Sequence, residues 1–320
     1  MLYWLTLAAQ RLTSIMPRGM RWWLGSVVTE VVYWVWTEKR IATQKNMSVV
    51  LNLPRSHPQV KRIARLSWRN YGRLVADYFD LSNHTTAEHL AEFNDPIYSL
   101  ELALDGVAEA KSGGHGVVLI TAHYGNFDKA GILVASRYPL IILAERLANP
   151  KLDDLFQEQR RHFGLTLIMV DDAIRPLMRA LKSGAIIGTP IDSPLQPNEG
   201  IPVQFFGRTA YAPRGIGALA VKYRAAIMPS FSWYNDKGGY SAKVFPPTTI
   251  EKTGDENADT IRATQVMFDA LESIIRQDPT QWYMFRQFWP DDESEHVKRD
   301  GYISLAKAEV PTLAQTAEHS

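Results

Sequence analysis

Apolar and polar positions change their rhythm at residue 116. From there on, short aliphatic runs alternate with amphipathic stretches of helical period; before it, the segments with a clear pattern are helical. The runs Val117–Ile120, Leu140–Ala144, Leu165–Val170, Ala185–Ile191, Ile227–Trp233 and Tyr240–Phe245 predict strands. The first is β-branched and aliphatic, the composition of a buried parallel strand. Between the runs, the spacing predicts helices over Phe127–Tyr138, Asp153–Phe163, Ala173–Ser183 (ended by Gly184), from Pro213 to about Tyr223, and over Asn257–Arg276. Residues 56–82 read as a helix with a basic face, and residues 86–112 as a helix pair ended by Ser112-Gly113-Gly114. Such alternation implies an α/β fold with a mixed, mainly parallel central sheet flanked by helices. Beyond Trp289-Pro290 the chain turns polar with weak periodicity, so residues 291–320 are expected to be loosely ordered.

The amino-terminal segment has a different character. Five of the nine tryptophans lie in the first 36 residues, and the charges between Met1 and Leu24 are all arginine. In Trp22 to Trp36, Val27, Val28, Val31, Val32 and Val35 share one helical face, whereas Ser26, Glu30, Tyr33 and Thr37 share another. The longest uncharged run here, Met1 to Gln10, is ten residues, short of the roughly 18–20 that a spanning helix needs. No small-residue cleavage site follows a compact apolar core, so the segment does not read as a signal peptide. Two readings remain: a hairpin packed on the protein's own globular part, or an amphipathic anchor over residues 1–40 lying in the membrane surface. The second is favoured, with an α/β domain over 41–290 and the polar tail after it.

Composition narrows the chemistry. The formal net charge of +1 over 320 residues gives no footprint for bulk nucleic-acid binding. The absence of cysteine excludes disulfides, thiol nucleophiles and thiolate metal sites. The most informative stretch is then His123-Tyr-Gly-Asn-Phe-Asp128, which follows the first apolar run and precedes a helix. His123 falls at the carboxyl end of a strand, where open α/β sheets hold ligands. Asp128 falls in the first helical turn, from which a carboxylate can orient the imidazole and make its other nitrogen a better base. Gly125 permits the turn and Asn126 caps the helix. The plain alternative is that Asp128 only complements the helix dipole. Metal binding is the weaker reading of His123, because no second histidine lies nearby at ligand spacing.

Three further positions carry candidate chemistry. Arg146 follows the Leu140–Ala144 strand and Asp192 ends the Ala185–Ile191 strand, so parallel pairing would bring His123, Arg146 and Asp192 to one edge and into one cleft. Surface ion pairs or loop capping would explain Arg146 and Asp192 without function. Arg208 ends the short apolar strand before Arg214 opens a helix, and an arginine at a helix start favours an anionic ligand close by. His57, His84, His89, His115 and His162 lie in loop or helix contexts and read as non-catalytic. Trp282 to Trp289 is an aromatic run with one arginine, either a lid on the core or a lipid-facing groove.

Taken in order, these pieces resemble the lipid A biosynthesis lauroyl/myristoyl acyltransferases of the lysophospholipid acyltransferase superfamily, and are similar also to phosphatidylinositol mannoside acyltransferases. The likeness covers residues 1–290: the apolar amino-terminal segment, His123-x4-Asp128, Arg146…Asn149-Pro150, the Arg160-Arg-His-Phe-Gly-Leu165 run, Asp192, Val203-Gln-Phe-Phe-Gly-Arg208, and Gln281-Trp282 with its aromatics. The resemblance implies an O-acyltransferase that moves a fatty acyl chain from an acyl carrier protein or CoA thioester to a hydroxyl of a glycolipid or lipid A-like acceptor. It needs no bound cofactor, and works at the cytoplasmic face of the inner membrane. His123 would be the general base and Asp128 its orienting partner. Gly125 and Asn126 would offer backbone amides to the oxyanion, while Arg146, Asp192 and Arg208 would contact substrate. The chain departs from the family at Ser193, where glutamine is common after the aspartate. An acyl-thioester hydrolase using the same His–Asp pair, and a non-catalytic lipid-binding protein, are the alternatives.

Overall fold

A computed structural model of the chain describes residues 2–170 and 174–289; the tail expected to be loosely ordered lies outside the described residues. Four helices open the chain: α1 (Leu2–Ser14), α2 (Arg18–Val35), α3 (Thr37–Leu51) and α4 (Pro58–Asp80). Two more follow, α5 (Thr86–Ala91), opened by a Thr85/Glu88 capping box, and α6 (Leu100–Ser112). Alternation then sets in: β1 (Val117–Thr121), α7 (Phe127–Ala135), β2 (Leu140–Ala144), α8 (Pro150–His162), β3 (Thr166–Met169), α9 (Ile174–Lys182) and β4 (Ile186–Pro190). The remainder is β5 (Ile201–Phe205), β6 (Arg208–Ala212), α10 (Arg214–Tyr223), β7 (Ala226–Tyr234), β8 (Tyr240–Val244) and α11 (Glu256–Gln277).

Six strands form one sheet in the order β3-β2-β4-β1-β7-β8, parallel throughout except for the β7–β8 pair at one edge. Alternate side chains face opposite layers, as the two-residue period of a strand requires. Val118, Ile120, Ile187 and Ile227 pack on one core that includes α9, α10 and α11. Val117, Leu119, Ile186 and Met228 pack on the other, with α6 and α7. The mainly parallel α/β fold is therefore as the sequence implies.

Arg208 is placed differently from the sequence reading. It does not end a strand but opens β6, after a two-residue hairpin turn in which Phe206 and Gly207 have φ of 52° and 71°. Positive φ at both central residues matches the twist of the flanking strands.

The amino-terminal helices also depart from a simple surface hairpin. A Cβ on Gly25 of α2 would lie 2.2 Å from the carbonyl oxygen of Gly72 of α4, so the two backbones touch. Beside this crossing, Ser26 Oγ donates to the Arg69 carbonyl at 3.0 Å, and Glu30 pairs with Arg65 and Arg69. The face that holds Ser26, Glu30 and Tyr33 is thus turned inward. Trp23, Val31, Trp34 and Val35 point outward, exposed by 62%, 57%, 57% and 78%. Among the described residues, no helix is long and apolar enough to cross a membrane.

Candidate active site

Strand register brings the site together. Thr121 at the end of β1 pairs with Pro190 at the end of β4, so the residues two further on, His123 and Asp192, emerge side by side from the carboxyl edge. His123 Nδ1 lies 2.9 Å from Asp192 Oδ1, and the same carboxylate accepts the His123 backbone N–H. Trp282 Nε1 donates to Asp192 Oδ2 at 3.0 Å, and the Tyr283 N–H donates to the His123 carbonyl at 2.8 Å. Asp192 is fully buried, whereas 38% of the His123 side chain is exposed. A buried carboxylate with three donors keeps its charge: burial pushes its pKa up, but His123 and the hydrogen bonds outweigh this and hold it below the ordinary value. For His123, burial pulls the pKa down, yet the Asp192 charge and hydrogen bond hold it above the usual imidazole value. With Nδ1 taken by Asp192, Nε2 is the nitrogen left for chemistry.

The orienting contact expected of Asp128 therefore belongs to Asp192. From the first turn of α7, Asp128 instead accepts from Arg160 Nε of α8 at 3.0 Å. Burial opposes the charge on Arg160, but Asp128, Tyr78 and Asp153 together outweigh it and keep its pKa raised.

Gly125 and Asn126 are built into the turn. Gly125 has a φ of 56°, and a Cβ there would lie 1.9 Å from the Ser232 carbonyl oxygen, so only glycine fits. Its N–H donates to the Gln281 carbonyl, and the Asn126 N–H to that of Ser232, so both amides expected to serve an oxyanion are already engaged. Asn126 Oδ1 caps α7 through the Lys129 N–H at 3.1 Å, as its sequence position suggested.

A cavity of about 630 Å³ opens at this edge. His123, Phe127, Asp128, Glu145 and Arg160 contribute to its lining, and most of its wall is aliphatic. Of the three residues expected in one cleft, His123 lines the cavity and Asp192 meets it from behind the lining, whereas Arg146 is exposed and outside that lining, as is Arg208. The arginines that bear on the site are Arg160, in the cavity wall, and Arg286, whose charge opposes protonation of His123. Arg160 lay within the Arg-Arg-His run and Arg286 within the aromatic run, but neither has a local signal separating it from a surface arginine. The remaining histidines described take other roles. His57 Nδ1 accepts from the Gln59 N–H at the start of α4, and His89 is buried against the Leu81 carbonyl.

The model of the bacterial lipid A biosynthesis acyltransferase family matches residues 1–290 of the chain. A phosphatidylinositol mannoside acyltransferase of Mycobacterium tuberculosis is 29% identical over 260 residues, covering 79% of this chain and 78% of that protein. A protein of the same description from Mycolicibacterium smegmatis is 28% identical over 196 residues, 60% of this chain and 62% of its own. A lipid A biosynthesis acyltransferase of Haemophilus influenzae is 22% identical over 188 residues, 58% of this chain and 57% of its own. A half-exposed histidine on a buried aspartate, set in the wall of an apolar cavity, suits the chemistry these names describe, and the chain belongs to the bacterial lipid A biosynthesis acyltransferase family, an acyltransferase of the lipid A and glycolipid type.

Proposed function

We propose that the protein transfers a fatty acyl chain from a thioester, carried by acyl carrier protein or CoA, to a hydroxyl of a membrane glycolipid, with His123 as general base. The observation that carries this reading is the Asp192-bound imidazole in the lining of a cavity with an aliphatic wall. In this scheme His123 Nε2 takes the acceptor hydroxyl proton as the oxygen attacks the thioester carbonyl. The tetrahedral intermediate collapses with loss of the thiolate, which takes the proton back from the imidazolium. Asp192 stabilises that imidazolium and fixes the tautomer, and Asp128 holds Arg160 beside the reacting carbonyl, where a guanidinium favours developing negative charge. The N–H groups of Phe127 and Asp128, in the first turn of α7, lack intrahelical acceptors and are further candidates for that role.

The exposed Trp23, Val31, Trp34 and Val35, with Lys39 and Arg40 beside Trp36 and Trp34, support docking on an anionic membrane surface. Such docking would present the lipid acceptor to the site at the inner membrane. The test is incubation of the purified protein with labelled acyl thioester and a total lipid extract, followed by mass spectrometry. An acylated glycolipid is the expected product. Free fatty acid as the main product would instead establish the hydrolase reading, and no turnover with intact lipid binding would establish the non-catalytic one.

A further inference from the structure

The cavity has two arms, one on each side of the sheet. Leu119, Leu140, Ile142 and Leu165 line one arm together with Val134 of α7. Leu177, Ile191, Met267 and Phe268 line the other, among α9, α10 and α11. Two glycines stand in the wall of the first arm: Gly131 in the interior of α7 and Gly188 in the middle of β4. Both positions disfavour glycine on backbone grounds. Neither glycine has a positive φ, unlike Gly125, and neither lets two backbones touch, as Gly25 and Gly72 do.

What both leave is space. The nearest atoms to a Cβ on Gly188 would be Ile142 Cγ2 at 3.4 Å, Leu140 Cδ1 at 3.5 Å and the Ile141 carbonyl oxygen at 3.9 Å, and one on Gly131 would meet the Leu165 side chain at 3.6 Å. Each is an ordinary contact, so a methyl fits without a clash but already takes space from the arm, and a larger group takes more. One glycine belongs to the helical roof and the other to the sheet floor, so filling either narrows the same passage.

Which arm continues from the reacting centre follows from the strand. Leu119, Thr121 and His123 are spaced two apart, and strand alternation puts the first two on the α7 side of the sheet. Phe127, in ring contact with His123 at 5.5 Å, belongs to α7 itself. A chain whose carbonyl lies at His123 therefore runs on into the first arm without crossing the sheet.

We propose that Gly131 and Gly188 determine the length of the acyl chain transferred, by keeping open the arm between the sheet and α7 that takes its tail. The inference rests on the acyl-transfer reading given above. Gly188→Val and Gly131→Leu test it, since each new residue suits its strand or helix and local structure is not penalised. Both variants, with wild type, are assayed against saturated acyl thioesters of increasing length, and their binding of the matching free fatty acids is measured by displacement of a fluorescent analogue. The expected result is a preference moved to shorter chains. Transfer of the longest wild-type substrate should fall by on the order of 10–100-fold, the usual cost of misfitting a methylene or two in an apolar pocket, while short chains continue to be used.

Leu219→Phe, which narrows the opposite arm, should leave the length preference alone. Folded glycine variants with the wild-type preference, or with an equal loss at every length, overturn the assignment, as does a shift caused by Leu219→Phe. Should Gly188→Val fail to fold, Gly188→Ala with Gly131→Ala gives a smaller shift of the same sign, and its absence is equally decisive. A shifted cut-off in fatty-acid binding without any turnover in wild type would leave the arm standing and sink the transfer reading instead.

Discussion

His123 finds its ring partner 69 positions away, and that pairing separates two carboxylates a local motif would confuse. His123→Ala should lower acyl transfer by on the order of 10²–10⁴-fold, the range for a positioned acid–base group. Asp192→Asn should lower kcat and also move the acid limb of the kcat/KM profile. The sign is fixed by the burial that opposes the imidazole charge: without the Asp192 charge nothing comparable holds the His123 pKa up, so the limb shifts to lower pH. Asp128→Asn should reduce turnover while leaving the limb in place, because its carboxylate bonds Arg160 rather than the ring. A limb that moves with Asp128→Asn and not with Asp192→Asn would reverse the two roles. The sequence made His123, Gly125 and Asn126 legible, since strand end, turn and cap are local signals. It could not say that β4 lies beside β1, and that neighbour relation alone decides which aspartate reaches the imidazole.

Elements follow the same division between local and long-range causes. β2 spans the residues its apolar run marks, and α7, α8, α9 and β4 lie within a few residues of their expected ends, because aliphatic runs, caps and glycines act locally. The hairpin at Phe206-Gly207 was missed because an aromatic residue with positive φ carries no turn signature. Its N–H is held by Glu272 of α11, a partner 66 residues away. The inward polar face of α2 was likewise hidden. The periodicity puts Ser26 and Glu30 on one face without saying which way it turns, and α4 decides this by supplying the Arg69 carbonyl and two guanidinium groups. The Gly25–Gly72 crossing should be the most size-sensitive point of this layer. Gly72→Ala would drive a methyl into the Gly25 carbonyl, which a Cβ would approach to 2.2 Å. Overpacking of this kind typically costs about 1–3 kcal/mol. Urea unfolding of the variant should show it, and an unchanged midpoint would mean that α2 and α4 can part freely.

At the scale of the whole molecule, the amino-terminal helices serve the outside and the site at once. Asn46 of α3 donates to the Met284 and Arg286 carbonyls at 3.0 and 2.8 Å, and Ser67 of α4 to that of Trp282, whose indole holds Asp192. Trp22 of α2 donates to Asp77 of α4 at 2.7 Å, and Asp77 accepts in turn from Asn126 in the turn after His123. The helices that would rest on the bilayer are thus tied directly to the segments that shape the active centre. The outer face of α2 can be altered without touching these bonds, because Trp23, Val31 and Trp34 point away from α4. Replacing all three by serine should weaken association with anionic vesicles by on the order of 100-fold or more, given about 1.5–3 kcal/mol for each large apolar side chain transferred out of water. Transfer to a detergent-dispersed acceptor should change little, since none of the three lines the cavity. Raising the salt should weaken wild-type binding further, through screening of Lys39, Arg40 and their neighbours. Vesicle sedimentation separates this from the competing view of α2 as a purely structural helix. If the triple variant still pellets with vesicles as the wild type does, the exposed stripe is not the membrane contact, and the acceptor must reach His123 by another route.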